Sequence, residues 1–322
     1  PALRLVAEVL REPAFAPSEF EELKRGALTS AQAQRTDPSA LAGVRLARHL
    51  APYPPGHPHY TPTVEERIAR IQAARLEDAV SCYRELFGAT GADFAAVGDF
   101  DPDELARAVD ELLGPWKTPR PFVRVPSRHF DRPALEERLV TPDKANAVLR
   151  AGLTLPMRDD HPDFPALVLA NYLLGGGSTA RLPDRIREKE GLSYSTYSTF
   201  QASSFDPAAR LSIAAIFAPQ NLERVQLAVR EELARAVREG FTDVEVANGK
   251  AALLEGRRLA RTQDRALAHR LGSYLFAKRT FQWDIELERR IAALTPAEVH
   301  AAMKRHLDPA RLAVVIGGDF KR

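Results

Sequence analysis

Cysteine is almost missing: Cys82 is the only one among 322 residues. No intrachain disulfide can form, and a thiolate metal cluster is excluded. Val80, Ser81 and Tyr83 around it read as helix, where a small buried apolar residue is expected rather than a nucleophile. An excess of one charge is lacking too. Lys plus Arg number 45 against 43 for Asp plus Glu, a net charge of +2. That balance does not point to nucleic acid or to an anionic membrane as partner. Arginine far outnumbers lysine, yet it is interleaved with carboxylates at helical spacing, as in Glu65-Glu66-Arg67, the pattern of a solvated helix face. Long apolar runs are also absent. None approaches the roughly 20 residues that a bilayer-spanning helix needs. The chain opens on Pro1-Ala2, already inside a helical pattern and without a signal-type segment, so a fragment of a longer product is expected.

What is present is an ordinary globular composition, 45% hydrophobic and 27% charged, with length enough for about two domains. Apolar residues at Leu3, Val6, Val9 and Leu10 form a helix stripe that Pro13 ends. Ser18 and the carboxylates from Glu19 to Glu22 open a second helix, which Asp37-Pro38 breaks. A third carries Leu41, Val44, Leu46 and Leu50, followed by a proline-rich loop to residue 63. Helices are expected near 64–72, 77–88 and 102–113, with a strand over 92–100 between the last two. Five prolines over 114–134 mark a linker. The spacing then predicts strands near 137–140, 147–155, 193–202, 209–218 and 312–319. Helices are expected over 162–174, 222–239, 242–261, 264–276, 284–293 and 296–306.

The sequence repeats itself. Glu19 matches Glu245, Lys24 matches Lys250, Arg35-Thr36 matches Arg261-Thr262 and Leu41-Ala42 matches Leu267-Ala268, all 226 apart. Leu10-Arg11-Glu12 echoes Val237-Arg238-Glu239, and Ala96-Val97-Gly98-Asp99-Phe100 echoes Ile316-Gly317-Gly318-Asp319-Phe320. Colinear matches over this distance indicate a duplicated domain. The second copy has a strand-rich portion, about 135–220, in front of its matched helices, and the first has none. The expected division is a truncated domain over 1–118, a linker over 119–134 and a complete domain over 135–322.

The most distinctive stretch is Leu173-Leu174-Gly175-Gly176-Gly177-Ser178-Thr179-Ala180-Arg181-Leu182, continuing to Arg187-Glu188-Lys189-Glu190-Gly191-Leu192-Ser193-Tyr194. On spacing alone it reads as a helix–turn–helix–strand corner with exposed arginines. Glycines 175–177 free the backbone for a tight turn. It also resembles the signature of the pitrilysin/insulinase (M16, inverzincin) zinc peptidases, which include processing peptidases and core subunits of the respiratory bc1 complex.

The resemblance implies an α+β fold of two related M16-like domains, each an antiparallel sheet packed with helices. Here the first domain would be truncated at its N-terminus. Catalysis in that family needs a His-x-x-Glu-His helix and a downstream Glu. The eight histidines, at 49, 57, 59, 129, 161, 269, 300 and 306, form no such motif, and the helix over Phe164–Leu174 carries neither His nor Glu. The chain therefore resembles the non-catalytic C-terminal half, with no metal ligands and no cofactor of its own; zinc is expected in a catalytic half not contained here. Alone, it is expected neither to hold zinc tightly nor to cleave peptides. By the resemblance, Arg187 and Tyr194 reach the active site of the zinc-bearing half as auxiliary catalytic groups. Gly175, Gly176, Gly177 and Arg181 would bind substrate. The implied partners are a peptide and either a zinc-bearing N-terminal half or a separate catalytic subunit, with no nucleic acid and no membrane. A silent partner subunit and a structural core-type protein are the alternatives. The compartment, bacterial periplasm or cytoplasm, stays open.

Overall fold

The computed structural model describes residues 2–320. By contacts the chain forms two compact units. One comprises residues up to Gln32, Val64–Val125 and Arg261–Thr280. The other comprises Ala33–Thr63, Pro126–Ala260 and Phe281 onward. These units are interleaved along the chain, whereas the division expected from sequence is sequential.

The duplication is visible as element order. Helices α1 (Ala2–Arg11), α2 (Pro17–Ala33), α3 (Pro38–Leu50), α4 (Val64–Ala73) and α5 (Leu76–Leu86) come first, then α6 (Pro102–Leu113). In the second copy, α9 (Leu222–Glu239), α10 (Asp243–Ala260), α11 (Asp264–Phe276), α12 (Phe281–Ala293) and α13 (Pro296–His306) answer α1 to α5 in order. Each copy's third helix belongs to the unit built mainly by the other copy: α3 lies in the second unit and α11 in the first. Local sequence cannot show this, because which unit a helix joins is a long-range packing choice.

In the second unit five strands form one mixed sheet in the order β1-β5-β2-β4-β3. They are β1 (Leu135–Val140), β2 (Ala147–Leu155), β3 (Ser193–Ala202), β4 (Ala209–Phe217) and β5 (Ala313–Gly318). The pairing is antiparallel except for β1 with β5, which is parallel. The sheet is thus mostly antiparallel, as expected, with one parallel pair at its edge. One face carries Leu149, Leu153, Leu211, Ile213, Phe217 and Ile316 against α7 (Phe164–Asn171), α9 and α13, and forms the main core. Helix α7 is apolar almost all round and buried almost all round, as such a helix must be.

Helix α3 covers part of the opposite face. Asp37 caps it by accepting from the Ala40 N–H at 2.6 Å, and Pro38 occupies its first turn. Ala42, Leu46 and Leu50, one face at i, i+4 and i+8, pack on Ala313 and Val315. A side chain at Gly317 would meet the Pro38 carbonyl at 2.7 Å, so glycine sets the approach of helix to sheet. Coverage by α3 explains why β2 and β5 are buried on both faces rather than alternating.

In the first unit, residues 92–97 form no strand. The sequence pattern is that of a strand, but no neighbouring strand pairs with it among the described residues, and a ladder needs two. Cys82 is exposed on α5, not buried, because no residue of that helix is buried.

Candidate functional site

The site grows from the corner between α7 and β3. Helix α7 widens into a π turn at Tyr172–Gly176, and α8 (Arg181–Pro183) does the same at Asp184–Lys189. Wide turns of this kind are rare and gather at functional sites. The first is shaped by glycine. A Cβ on Gly175 would lie 2.7 Å from the Ser198 nitrogen and Oγ of β3, and one on Gly177 would lie 2.8 Å from the Tyr172 ring. Gly175 is buried, and Gly176 would press on the Asn171 side chain. The three glycines let the turn lie against the strand, and Ser198 ties the contact by donating to Asn171 Oδ1 at 2.8 Å.

Three arginines follow, and the structure separates them. The Arg181 guanidinium donates to both Glu245 oxygens, at 2.6 and 2.8 Å, and stacks over Phe241 at 4.5 Å. Its side chain is 13% exposed, and it fastens α8 to α10. This geometry turns Arg181 inward, away from the substrate contact expected of it. The hydrogen bonds from Arg181 hold the Glu245 carboxyl down at about 2. Arg185 is tied to Glu190, Glu231 and Glu232. Burial opposes its charge, but the three carboxylates more than offset that and hold its pKa above the usual value. Arg187 is different: it is exposed, and its ion pair is with the adjacent Glu188 at 3.2 Å.

Gly191, at φ +60, reverses the chain into β3. The turn is closed by Leu192 N–H donating to the Ile186 carbonyl at 2.8 Å. A β-bulge follows between Ser193 and Ser195. Ser193 is buried and donates to the Ile216 carbonyl at 2.6 Å. Tyr194, the residue inside the bulge, is 63% exposed, and its hydroxyl has no partner among the described residues. Bulges re-aim side chains in this way. Arg187 and Tyr194 thus flank one closed turn, both exposed.

Beyond the bulge the alternation is regular. Thr196, Ser198 and Phe200 face the helices. Tyr197 lies on the other face, where its hydroxyl accepts from Arg150 at 3.3 Å, and Arg150 also donates to Ser39 of α3 at 2.6 Å. Register extends this face in rows: Arg150–Ala214–Tyr197, Gly152–Ser212–Thr199 and Thr154–Arg210–Gln201. Helix α3 packs on β1, β5 and β2, and the β4–β3 columns form a track that is polar at Ser212, Thr199, Arg210 and Gln201 and apolar at Ala214 and Ile216, nearer Tyr194. Sequence reasoning missed Arg150, Tyr197 and Arg210. The available signal was one arginine in each of two largely apolar strands, Ala147–Leu155 and Ala209–Phe217.

The residues present do not fit a catalytic zinc. Helix α7 offers no ligand, and its buried face leaves no room for one. The one cluster of potential ligands among the described residues is His161, Asp163 and His306, with ligand atoms within 4.8 Å of one another. Arg305 occupies both Asp163 oxygens at 2.7 and 2.9 Å, and His306 shares one at 2.7 Å. The hydrogen bond from Arg305 is the main cause of an Asp163 pKa lowered to about 2. A guanidinium already neutralises that carboxylate. The cluster staples α13 to the start of α7.

A family model described as peptidase M16 inactive domain matches residues 73–253, more than half of the chain. An uncharacterized zinc protease of Streptomyces coelicolor is 29% identical over 245 residues, covering 73% of this chain and 52% of its own length. A probable inactive metalloprotease of Bacillus subtilis, YmfF, is 24% identical over 301 residues, covering 90% of this chain and 66% of its own. The chain therefore spans about half to two thirds of these relatives. A solved peptidase M16 inactive domain from Pseudomonas fluorescens shares the fold at TM-score 0.81 and 24% identity, over 99% of this chain and 74% of that one. A chain of complex III from Candida albicans does so at TM-score 0.71 and 16% identity, over 100% and 78%. The α+β architecture, the glycine–arginine corner and these likenesses agree, and the chain belongs to the peptidase M16 inactive-domain family.

Proposed function

We propose that this chain is the non-zinc-binding half of an M16 metallopeptidase, which helps to enclose a peptide and lends Arg187 and Tyr194 to chemistry housed in a zinc-bearing half. The observation that carries this is the contrast within one motif. Two arginines are consumed by internal carboxylates, while Arg187 and the bulged Tyr194 are left facing solvent. A guanidinium and a phenol both donate hydrogen bonds. Either can hold a substrate carbonyl or the oxyanion that forms when water attacks it. The zinc-bearing half lies on the same polypeptide or on a separate subunit.

The test is turnover of a quenched-fluorescence peptide by the chain combined with its zinc-bearing half. Tyr194→Phe removes one exposed hydroxyl, so it should leave the melting temperature unchanged and lower kcat/KM by about tenfold or more. Unchanged kinetics would remove Tyr194 from the site. A second reading, a structural core-type partner, draws on the fold shared with the complex III chain. It expects Tyr194→Phe and Arg187→Gln to leave any associated peptidase activity intact.

A further inference from the structure

At the far end of the polar track a cavity of about 340 Å³ opens beside the C-terminal end of α3. Leu50, Thr154 and Gln201 line it, together with three basic side chains, Arg128, His129 and Arg210. No Asp or Glu does. Arg210 is the unusual member. It rises from β4 between Thr154 and Gln201 and lies over Gly152, where its Nε comes within 3.5 Å of the place a Cβ would take. That Nε is buried and donates to nothing. The whole guanidinium forms no ion pair or hydrogen bond among the described residues. Burial alone acts on it and pushes its pKa below the usual arginine value, with no carboxylate pulling it back.

A guanidinium does not give up its proton in a protein, so this one is a desolvated cation without a counter-charge. Three other semi-buried arginines of this unit, 181, 185 and 257, have carboxylates, and Arg150 donates to the Tyr197 and Ser39 hydroxyls; Arg210 has neither. The α3 C-terminus supplies only a partial negative charge. We propose that the Arg210 pocket is a carboxylate-binding site, which anchors the acidic end of an extended peptide lying along the β3–β4 face. This rests on the peptide-binding function proposed above and adds a substrate class to it. Arg210 gives the bidentate fork, Arg128 adds positive field, and His129, Thr154 and Gln201 border the group. From Ser195 to Gln201 the track is about 20 Å long at roughly 3.3 Å per residue. A peptide with its carboxylate at Arg210 therefore reaches Tyr194 about six or seven residues away.

The experiment is equilibrium binding to this chain alone, read by fluorescence anisotropy. Three labelled heptapeptides of one core sequence are compared: a free C-terminal acid, its C-terminal amide, and an amide with a terminal Glu side chain. Tighter binding of the free acid than of the amide, by about tenfold, is expected. Recovery of affinity by the Glu-bearing amide would show that any carboxylate serves; lack of recovery would assign the site to chain termini. Arg210→Met should abolish the acid preference and leave amide binding unchanged, with Arg210→Lys intermediate. Equal affinities of acid and amide for the wild-type chain would overturn the proposal, and need no variant to fold. So would an acid preference that survives in Arg210→Met. Because no zinc-bearing half is involved, failure here leaves the Tyr194 turnover test standing, and the converse holds.

Discussion

Replacing Glu245 by Gln tests whether the glycine–arginine corner is held from inside. Glu245 Oε1 and Oε2 receive the Arg181 fork, and Oε2 also accepts from the Thr242 N–H and hydroxyl at 2.7 and 2.9 Å. The Thr242 hydroxyl in turn accepts from the Glu245 N–H at 3.2 Å, a reciprocal cap on α10. A carboxyl held at about 2 against its usual 4.5 corresponds to at most about 3 kcal/mol. Solvent screening at a side chain one-third exposed brings this to roughly 2 kcal/mol. The sign follows from the lowered value. The stabilisation is complete above about 4.5 and drains away as pH falls toward 2. Urea denaturation should therefore show Glu245→Gln less stable than wild type by about 2 kcal/mol at pH 7, with the gap below about half of that near pH 3. Equal stability at pH 7, or a gap that persists undiminished at pH 3, would refute this account of the pair. Arg181→Ala extends the test. It should lose stability without a direct loss of peptide contact. A variant that keeps its stability but loses peptide affinity would return Arg181 to the ligand.

Two further outcomes follow from contacts of the same unit. Gly175→Ala would force a methyl against the Ser198 nitrogen and Oγ at 2.7 Å, and thermal melts should show a loss of about 1–3 kcal/mol. Asp163→Asn should cost about 1 kcal/mol at neutral pH, since Arg305 is half exposed. The difference should vanish in acid melts as pH drops from about 3.8 toward 2, the window set by the lowered Asp163 value.

The sequence carried the element order well because it depends on local periodicity and on breakers such as Pro13 and Pro38. It carried the duplication because copied helices keep their spacing. It could not show which unit α3 and α11 join, since that is a long-range packing choice between two similar faces. The strand pattern over 92–100 was legible, but no ladder forms there among the described residues. Cys82 has the pattern of a buried helical position, and exposure of a whole helix overrode it. The motif residues were legible as a group and not as individuals. Arginines 181, 185 and 187 look alike in sequence, and only the positions of Glu245, Glu190, Glu231 and Glu232 tell them apart.

Where α3 ends decides where binding can occur. The sheet's second face would be too apolar to leave open across β5 and β2, where Ala313, Val315 and Val148 point, and α3 covers that part. Over β4 and β3 the same face carries Ser212, Thr199, Gln201 and Tyr197, which can remain exposed without a cover, together with the half-buried Arg210. Leucine at 210 would fill the space over Gly152 at no desolvation cost. Stability alone therefore does not account for a guanidinium there, and the carboxylate ligand proposed above would supply the missing negative charge. The bulge at Tyr194 marks the other end of the track, where a regular strand would have kept the ladder unbroken. The proposed peptide would run between these two departures from the most stable choice, with its carboxylate at Arg210 and its far end at Tyr194.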